Sequence, residues 1–411
     1  MRDRVAPAER PRLSAGWKAG APFILTVGAV LLGWQVALQP FIQRAPVEVA
    51  VRLAPGSPLV LSRAAEAELL AERNDNAAFL ARDALVRAPF SVAALRVAGL
   101  SEAKAGRSES ADELLTLAGN WSLRDDPTHA WLVEYRLRRG DYGSSFAHAD
   151  TLARRRTDVQ PRIFALFTLA ATHDRPRVMP VLTRLLAARP PWRKAYLNSL
   201  YDKDGSLQVA FDLAIMLQAT DAPMTDDELS GFYTGALKKG QLGAAITVRK
   251  ELGRPAGGAG VTDGDFSGPR APAPFGWTLV QAGGAVAEIT GLDADGAGSG
   301  LWVEYDGRRS ARIAQQFLVL PAGSHVLSYR VKVEEGDAAE RLRWNLTCVR
   351  GPVLASTSPP TAGTGVWRTV TTTFTVPESC PGQWLELEGR PDYLSPRVAA
   401  WFDAVRVEPA T

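Results

Sequence analysis

The chain changes its hydrophobic period once, near residue 262. Between residues 60 and 252, apolar side chains recur at helical spacing in segments rich in Ala, Leu and Arg. From about residue 262 onward, apolar and polar residues alternate in short runs that are separated by Gly- and Pro-containing turns. The pattern therefore predicts a multidomain protein in which an all-α region is followed by an all-β domain.

A long apolar segment precedes the helical region and the β domain. Residues 19–43 contain no charged side chain, and the stretch 21–38, APFILTVGAVLLGWQVAL, is almost wholly apolar. A helix of about 25 residues spans roughly 37 Å, which exceeds the roughly 30 Å hydrocarbon core of a bilayer. The residues before it include Arg2, Arg4, Arg10, Arg12 and Lys18 against only Asp3 and Glu9. This excess of positive charge is typical of the cytoplasmic side of an anchor.

These features predict a cytoplasmic tail at 1–18, a transmembrane anchor at 19–43 and a juxtamembrane connection at 44–59. The protein is then expected in the inner membrane as a single-pass protein, with its N-terminus cytoplasmic and its bulk periplasmic. A cleaved signal peptide is the alternative. It is disfavoured because the apolar run exceeds the roughly 7–15 residues of a signal-peptide core.

The helical region has an internal period. Gly106 and Gly140 lie 34 residues apart, and each falls between two predicted helices. Gly99 and Ala111 supply small residues on the two helices that flank the first of these turns, where they allow close helix packing. A helix–turn–helix unit of this length resembles the tetratricopeptide repeat. Residues 60–252 are therefore predicted to form a degenerate tetratricopeptide-like solenoid, and an irregular helical domain is the alternative.

Such a solenoid implies a concave groove that binds a protein partner rather than a catalytic site. The basic stretches YRLRRGDY and LARRRTD are candidates for that groove, but solvated helix faces are the favoured interpretation of them. Residues 253–261 are rich in Gly and Pro and lack apolar periodicity, which predicts a linker to the β domain.

Six strand-like segments follow, and the intervening turns indicate an antiparallel sandwich over 262–411. They are RIAQQFLVL (312–320), SHVLSYRVKVE (324–334), LRWNLTCV (342–349), WRTVTTTFTVP (367–377), QWLELEG (383–389) and AAWFDAVRVEP (399–409).

Four phrases of this domain resemble those of jelly-roll carbohydrate-binding modules of the cellulose- and xylan-binding type. DGDFSGPRAPAPFGWTL resembles their N-G-D-F…G-W opening, and QQFLVLPAGSHVLSYRVKV resembles their Q-x-x-x-L-x-P-G-x-x-Y-x-L-S strand pair. GVWRTVTTTFTVP and WFDAVRVEP are similar to their later W…F-x-V-P and D-x-V strands. The resemblance spans 262–409 and implies a jelly-roll fold.

Sugar-binding members of this family stack pyranose rings on exposed aromatic side chains and read hydroxyl groups with polar ones. The resemblance implies that Trp277, Trp367 and Trp401 pack in the core, because they accompany the motif strands. The glycan-binding candidates are then Trp302, Tyr305, Trp344 and Trp384, with Arg308 and Gln315 as hydrogen-bonding groups. For these aromatic residues core packing is the alternative.

The family often carries a structural calcium ion between its opening and closing strands. The matching carboxylates are Asp265 and Asp403, and plain surface aspartates are the alternative because calcium needs several oxygen ligands. No other cofactor is expected. The only two cysteines, Cys348 and Cys380, are predicted to form a disulfide in an exported domain. Two separate buried thiols are the alternative.

Net charge and motif content reduce the number of possible function classes. With 47 basic and 44 acidic residues, the net charge of +3 does not indicate nucleic-acid binding. The chain contains no G-x-S-x-G, P-loop or H-E-x-x-H motif, so no enzymatic activity is expected.

The resulting interpretation is a non-catalytic, membrane-anchored envelope scaffold. Its helices would bind a protein partner and its jelly roll a polysaccharide or other glycan, which suits the assembly or export of a surface polysaccharide. One alternative is a protein–protein scaffold whose jelly roll has lost sugar binding. A remote alternative is a divergent glycoside hydrolase, which requires two carboxylates in one cleft.

Overall fold

The computed structural model describes residues 26–30, 33, 40–202, 205–253, 260–269, 271–281, 284–292, 298–360, 365–392 and 397–410. The chain divides into two compact units, Met1–Leu152 and Ala153–Thr411. Six residues of the predicted linker, 254–259, lie outside the described residues. The predicted boundaries at 252 and 262 stay predictions.

The predicted membrane anchor requires a correction. Most of residues 19–43 lies outside the described residues, which include only 26–30, 33 and 40–43 of that segment. Throughout the described ranges, no helix has both the length and the apolar character needed to cross a bilayer. The predicted single-pass inner-membrane localisation is wrong on this finding.

Helices of two to four turns form the first unit, as the apolar spacing predicts. In chain order they are α1 (Val47–Leu53), α2 (Pro58–Leu70), α3 (Asn74–Arg87), α4 (Val92–Lys104), α5 (Ser108–Trp121), α6 (Asp126–Arg138) and α7 (Tyr142–Arg155), whose last residues belong to the second unit. The second unit begins with α8 (Gln160–His173), α9 (Arg175–Ala187), α10 (Arg193–Ser199), α11 (Leu207–Gln218), α12 (Asp226–Lys238) and α13 (Leu242–Glu251). The helical character of this region is therefore confirmed.

The period of 34 residues is visible in the helix starts. Helices α2, α4, α6 and α8 begin at 58, 92, 126 and 160. The turns between paired helices contain Gly106 and Gly140 with φ of 80° and 70°, a left-handed conformation that favours glycine. A Cβ at Gly99 would lie 2.6 Å from Leu115, so the glycine allows α4 and α5 to approach closely. The tetratricopeptide fold itself is not confirmed and stays a prediction.

Two histidines meet between α6 and α7. The Nδ1 atoms of His129 and His148 lie 3.0 Å apart, a hydrogen bond in which one nitrogen donates and the other accepts. Burial, and then the nearby charges of His129 and Arg136, lower the pKa of His148 from 6.5 to about 4. The folded protein therefore favours the neutral form of His148.

This shift predicts a stability that depends on pH. Because the unfolded chain takes up a proton near pH 6.5 and the folded one only near pH 4, stability should fall as pH drops through this window. After allowance for partial solvent exposure, the loss should be about 1–2 kcal/mol. In thermal unfolding, the stability of the His148→Gln variant should not show this loss at low pH. The His173→Gln variant, changed at an exposed histidine, should still show it. Equal pH profiles for both variants would contradict the prediction.

The C-terminal part of the second unit is the predicted two-sheet β-sandwich. Its strands are β1 (Thr278–Leu279), β2 (Ala285–Gly291), β3 (Ser299–Tyr305), β4 (Ala311–Leu318), β5 (Gly323–Glu335), β6 (Leu342–Cys348), β7 (Val353–Thr357), β8 (Arg368–Val376), β9 (Gln383–Gly389) and β10 (Val398–Pro409); a short helix, α14 (Ala338–Arg341), precedes β6. The first sheet has the order β1-β4-β9-β6-β7 and the second β2-β3-β10-β5-β8. Neighbouring strands within each of these two sheets are antiparallel.

Alternate residues of both sheets meet in one core. Leu301, Tyr329, Trp344, Leu385 and Phe402 are among its fully buried members. Cys348 and Cys380 form the predicted disulfide at one end of this core. On the chain-entropy model, a bridge across 32 residues of sequence contributes roughly 3–4 kcal/mol of stability.

Candidate functional site

The predicted glycan-binding residues separate onto different parts of the sandwich. Gln315 and Trp384 point outward from the first sheet, whereas Trp302 points outward from the second. Arg308 lies in the loop between β3 and β4, where its side chain is exposed and its backbone N–H donates to Asp306 at 2.9 Å. The structure therefore brings together only Gln315 and Trp384.

Two of the predicted residues belong to the core. Trp344 and Tyr305 are fully buried, and the Tyr305 hydroxyl donates to the carbonyl oxygen of Arg309 at 2.8 Å. Neither side chain reaches an outer face, so their prediction as glycan ligands is corrected. The physical reason is strand alternation, because Trp344 shares its parity with Leu342 and Leu346.

A row of polar residues crosses the outer face of the first sheet. In register from β1 to β7, it consists of Thr278, Gln315, Glu386, Asn345 and Ser356, which are called the polar row below. Each member lies opposite its neighbour on the adjacent strand, so the row runs at right angles to the strands. Such a surface offers both donors and acceptors to an extended ligand.

Hydrogen bonds and ion pairs hold the polar row in place. Ser356 Oγ donates to Asn345 Oδ1 at 2.7 Å, and Asn345 Nδ2 donates to Glu388 Oε2 at 2.7 Å. Arg312 Nε lies 2.8 Å from Glu386 Oε1. Burial raises the pKa of Glu386, and the charge of Glu388 adds to this effect while Arg312 opposes it. The row is thus preorganised, which reduces the ordering cost of binding.

Aromatic side chains bound the polar row on one side. Trp384 packs edge-on against Phe317, with ring centroids 4.9 Å apart, and Phe317 packs against Phe275 at 5.8 Å. Helices α12 and α13 cover this cluster from within the same unit. The Tyr233 ring lies 5.1 Å from that of Phe275, and the Arg249 guanidinium lies 4.4 Å from the Phe275 centroid. Trp384 itself remains partly exposed beside the row.

Gln316, the neighbour of Gln315, has a structural role. Its side chain is fully buried, accepts from the Thr262 N–H at 2.7 Å and donates to the Thr262 carbonyl oxygen at 2.8 Å. It thereby fastens the first residues of the β domain to β4.

The second sheet has a different outer face. There, Glu288, Trp302, Trp401 and Lys332 lie opposite one another on β2, β3, β10 and β5, and they are called the aromatic row below. The Trp302 and Trp401 ring centroids are 4.9 Å apart, with an interplanar angle of 51°. Both rings are partly exposed. Trp401 was expected in the core, and its outward position corrects that expectation.

The two candidate calcium ligands have other partners. Asp403 lies 3.3 Å from Arg330 and accepts the Ala404 N–H at 2.6 Å, while Asp265 interacts with Ser267 and Asp263. Among the described residues, no group of three or more His, Cys, Asp or Glu side chains is placed to hold a metal ion. The calcium site stays a prediction.

The polar row also contains residues that the sequence analysis missed. Glu386, Asn345 and Ser356 each alternate with core residues along their strands, which was the available signal. Their convergence depends on β9 pairing with both β4 and β6, a long-range register that alternation does not specify.

The chain matches no protein-family model and no curated protein. Among solved structures it is similar to a CBM4 module at 16% identity, covering 36% of this chain and 99% of that one, with a TM-score of 0.28. It is similar to the CBM22-1 xylan-binding domain of Paenibacillus barcinonensis Xyn10C at 16% identity, covering 36% and 93%, with a TM-score of 0.26. It is also similar to the C-terminal family 22 carbohydrate binding module of Clostridium thermocellum Xyn10B at 18% identity, covering 36% and 91%, with a TM-score of 0.26.

Proposed function

We propose that the β-sandwich binds a glycan non-catalytically along the polar row. The observation that supports this most is the continuous row of polar side chains across all five strands of the first sheet, with Trp384 beside it. Carboxylate and amide oxygens accept from sugar hydroxyls, amide and hydroxyl groups donate to sugar oxygens, and the indole supplies an apolar edge. The motif resemblance found in the sequence supports the same assignment.

Glycan binding predicts a defined mutational effect. Glu386→Gln keeps the shape of the side chain but removes its charge, so affinity for the bound polysaccharide should fall about 10-fold through loss of strong acceptor bonds. The full chain would be run through gels cast with soluble xylan, cellulose derivatives, mannan or pectin. Glu408→Gln, an exposed change on the other sheet, should leave the retardation unchanged. If no polysaccharide retards the wild-type chain, the alternative of a sandwich without sugar binding is favoured.

The remote alternative of a glycoside hydrolase rests on Glu386 and Glu388. They point outward two residues apart on the same face of β9, and a catalytic pair would need its two carboxyl groups about 5–10 Å apart. Binding is nevertheless favoured, because Arg312 and Asn345 hold these two carboxylates as hydrogen-bond acceptors. Release of reducing ends from the bound polysaccharide, absent in Glu386→Gln, would instead favour catalysis.

The proposed scaffold role also needs a protein partner for the helices. It is supported by an apolar groove of about 430 Å³ between α9 and α11, lined by Met179, Pro180, Ile215 and Met216 among others. A photo-crosslinking residue at position 215 should capture one defined protein, whereas the same residue at exposed position 218 should not. Equal labelling from both positions would count against this groove.

A further inference from the structure

The aromatic row on the second sheet is not used by the proposed function. Trp302 lies between the core residues Leu301 and Val303, and Trp401 between Ala400 and Phe402, so alternation directs both indoles away from the core. The two rings form the centre of the row. Glu288 flanks Trp302 on one side, and Lys332 flanks Trp401 on the other.

A glycine shapes this surface. A Cβ at Gly300 would lie 3.3 Å from the Trp401 ring and 2.9 Å from Leu292, so the Trp401 ring lies over Gly300. A side chain at this position would displace the ring. The glycine therefore lets an indole lie along the sheet.

We propose that the aromatic row is a second carbohydrate-binding site, on the opposite sheet from the polar row. It would take an uncharged glycan segment of at least two sugar units. The apolar C–H faces of pyranose rings would stack on Trp302 and Trp401. The Glu288 carboxylate accepts from hydroxyl groups, and the Lys332 ammonium, held 3.0 Å from Glu334, donates to sugar oxygens.

The charges of the aromatic row determine the kind of glycan. Lys332 at one end already pairs with Glu334, and Glu288 at the other end is acidic, so the row has no excess positive charge to attract an anionic ligand. Next to it, Arg330 pairs with Asp403 at 3.3 Å and also lies 4.8 Å from the Trp367 ring centroid. This neighbouring basic group is therefore compensated as well. An uncharged chain of sugars fits this pattern better than an acidic polysaccharide.

The rest of the face favours a glycan over a protein partner. The adjacent edge strand β8 exposes Thr369, Thr371, Thr373 and Thr375, a ladder of hydroxyl groups rather than apolar side chains. Two aromatic rings within a hydroxyl-rich and charge-flanked surface suit a ligand that is itself covered with hydroxyl groups.

The test follows the individual indoles in the full chain. The protein would be labelled with 5-fluorotryptophan and titrated with hexaoses of β-1,4-linked glucose, xylose or mannose, and the Trp302 and Trp401 resonances would be assigned from Trp→Phe variants. At least one neutral hexaose should shift both resonances, and an oligogalacturonate of equal length should not. In Trp302→Ala the affinity reported by the remaining Trp401 resonance should fall at least about 10-fold, and in Trp302→Phe, which keeps a stacking ring, only a few-fold.

Variants on the two sheets separate the two sites. Glu386→Gln should leave the response of Trp302 and Trp401 unchanged, and Trp302→Ala should leave binding at the polar row unchanged. The second site is rejected if neither resonance moves with any hexaose, or if Glu386→Gln abolishes the movement. It is also rejected if Trp302→Ala weakens association with a protein partner but does not change hexaose binding. If Glu386→Gln loses gel retardation and no hexaose shifts either indole resonance, the proposed function stands without the second site.

Discussion

Replacing Glu228 by alanine is expected to destabilise the second unit by about 3–5 kcal/mol, because it leaves a buried charge without its partner. Arg193 Nε and Nη2 donate to the two carboxylate oxygens of Glu228 at 2.9 and 2.8 Å, and the two side chains are only 6% and 8% exposed. Arg193 Nη1 also donates to the carbonyl oxygens of Leu186 and Ala222 at 3.2 and 3.0 Å. The guanidinium thus connects three separate segments of the helical region.

Glu228 has a second role that adds to this effect. With Thr225 it forms a capping box at the start of α12, in which Thr225 N–H donates to Glu228 Oε2 at 2.9 Å and Glu228 N–H donates to Thr225 Oγ1 at 3.2 Å. Loss of such a cap alone costs about 1 kcal/mol. Glu228→Gln retains part of this cap and should therefore be less destabilising than Glu228→Ala.

An adjacent ion pair supplies the matched control. Lys194 and Asp227 are the sequence neighbours of Arg193 and Glu228 and also pair, but their side chains are 60% and 69% exposed. Solvent screens such a pair, so Asp227→Ala should leave the unfolding transition almost unchanged. Urea unfolding monitored by circular dichroism would compare the two variants. Similar losses for Glu228→Ala and Asp227→Ala would show that burial is not the deciding factor.

The sequence predicted what depends on local pattern. The helical period placed the turn glycines Gly106 and Gly140 between paired helices, and the alternation placed a two-sheet sandwich after residue 262. The predicted Cys348–Cys380 bridge is also present, because its two cysteines end and precede strands of the same sheet. These features follow from steric preferences of short segments.

The candidate sites depended on information that local pattern does not contain. Trp302 and Trp384 were both glycan-binding candidates, but β3 and β9 belong to different sheets, so the two rings face opposite sides of the sandwich. Strand order arises from long-range pairing, and a strand looks similar whichever sheet it joins. Tyr305 has the parity of Leu301 and Val303 along β3, so the alternation alone was enough to exclude it.

Trp344→Ala is expected to destabilise the β-sandwich by about 3–5 kcal/mol, since it opens a large cavity in the core. The ring is fully buried, and its centroid lies 5.8 Å from those of Trp277 and Phe402 and 6.2 Å from that of Tyr329. Trp384→Ala removes a partly exposed ring at the edge of the polar row and should cost much less stability. The two variants therefore separate an effect on folding from an effect on binding.

Thermal unfolding would be measured for both variants. Gel retardation would be measured at a temperature at which both variants are folded. Trp344→Ala should lower the unfolding midpoint while its folded fraction retains the wild-type affinity, because no atom of the ring reaches the polar row. Trp384→Ala should show the reverse pattern, with a small change in midpoint and weaker retardation. If Trp344→Ala kept the wild-type midpoint but lost retardation, the indole would have to reach the ligand. That result would contradict the structure, in which the core side of β6 is packed against the second sheet and closed to a glycan.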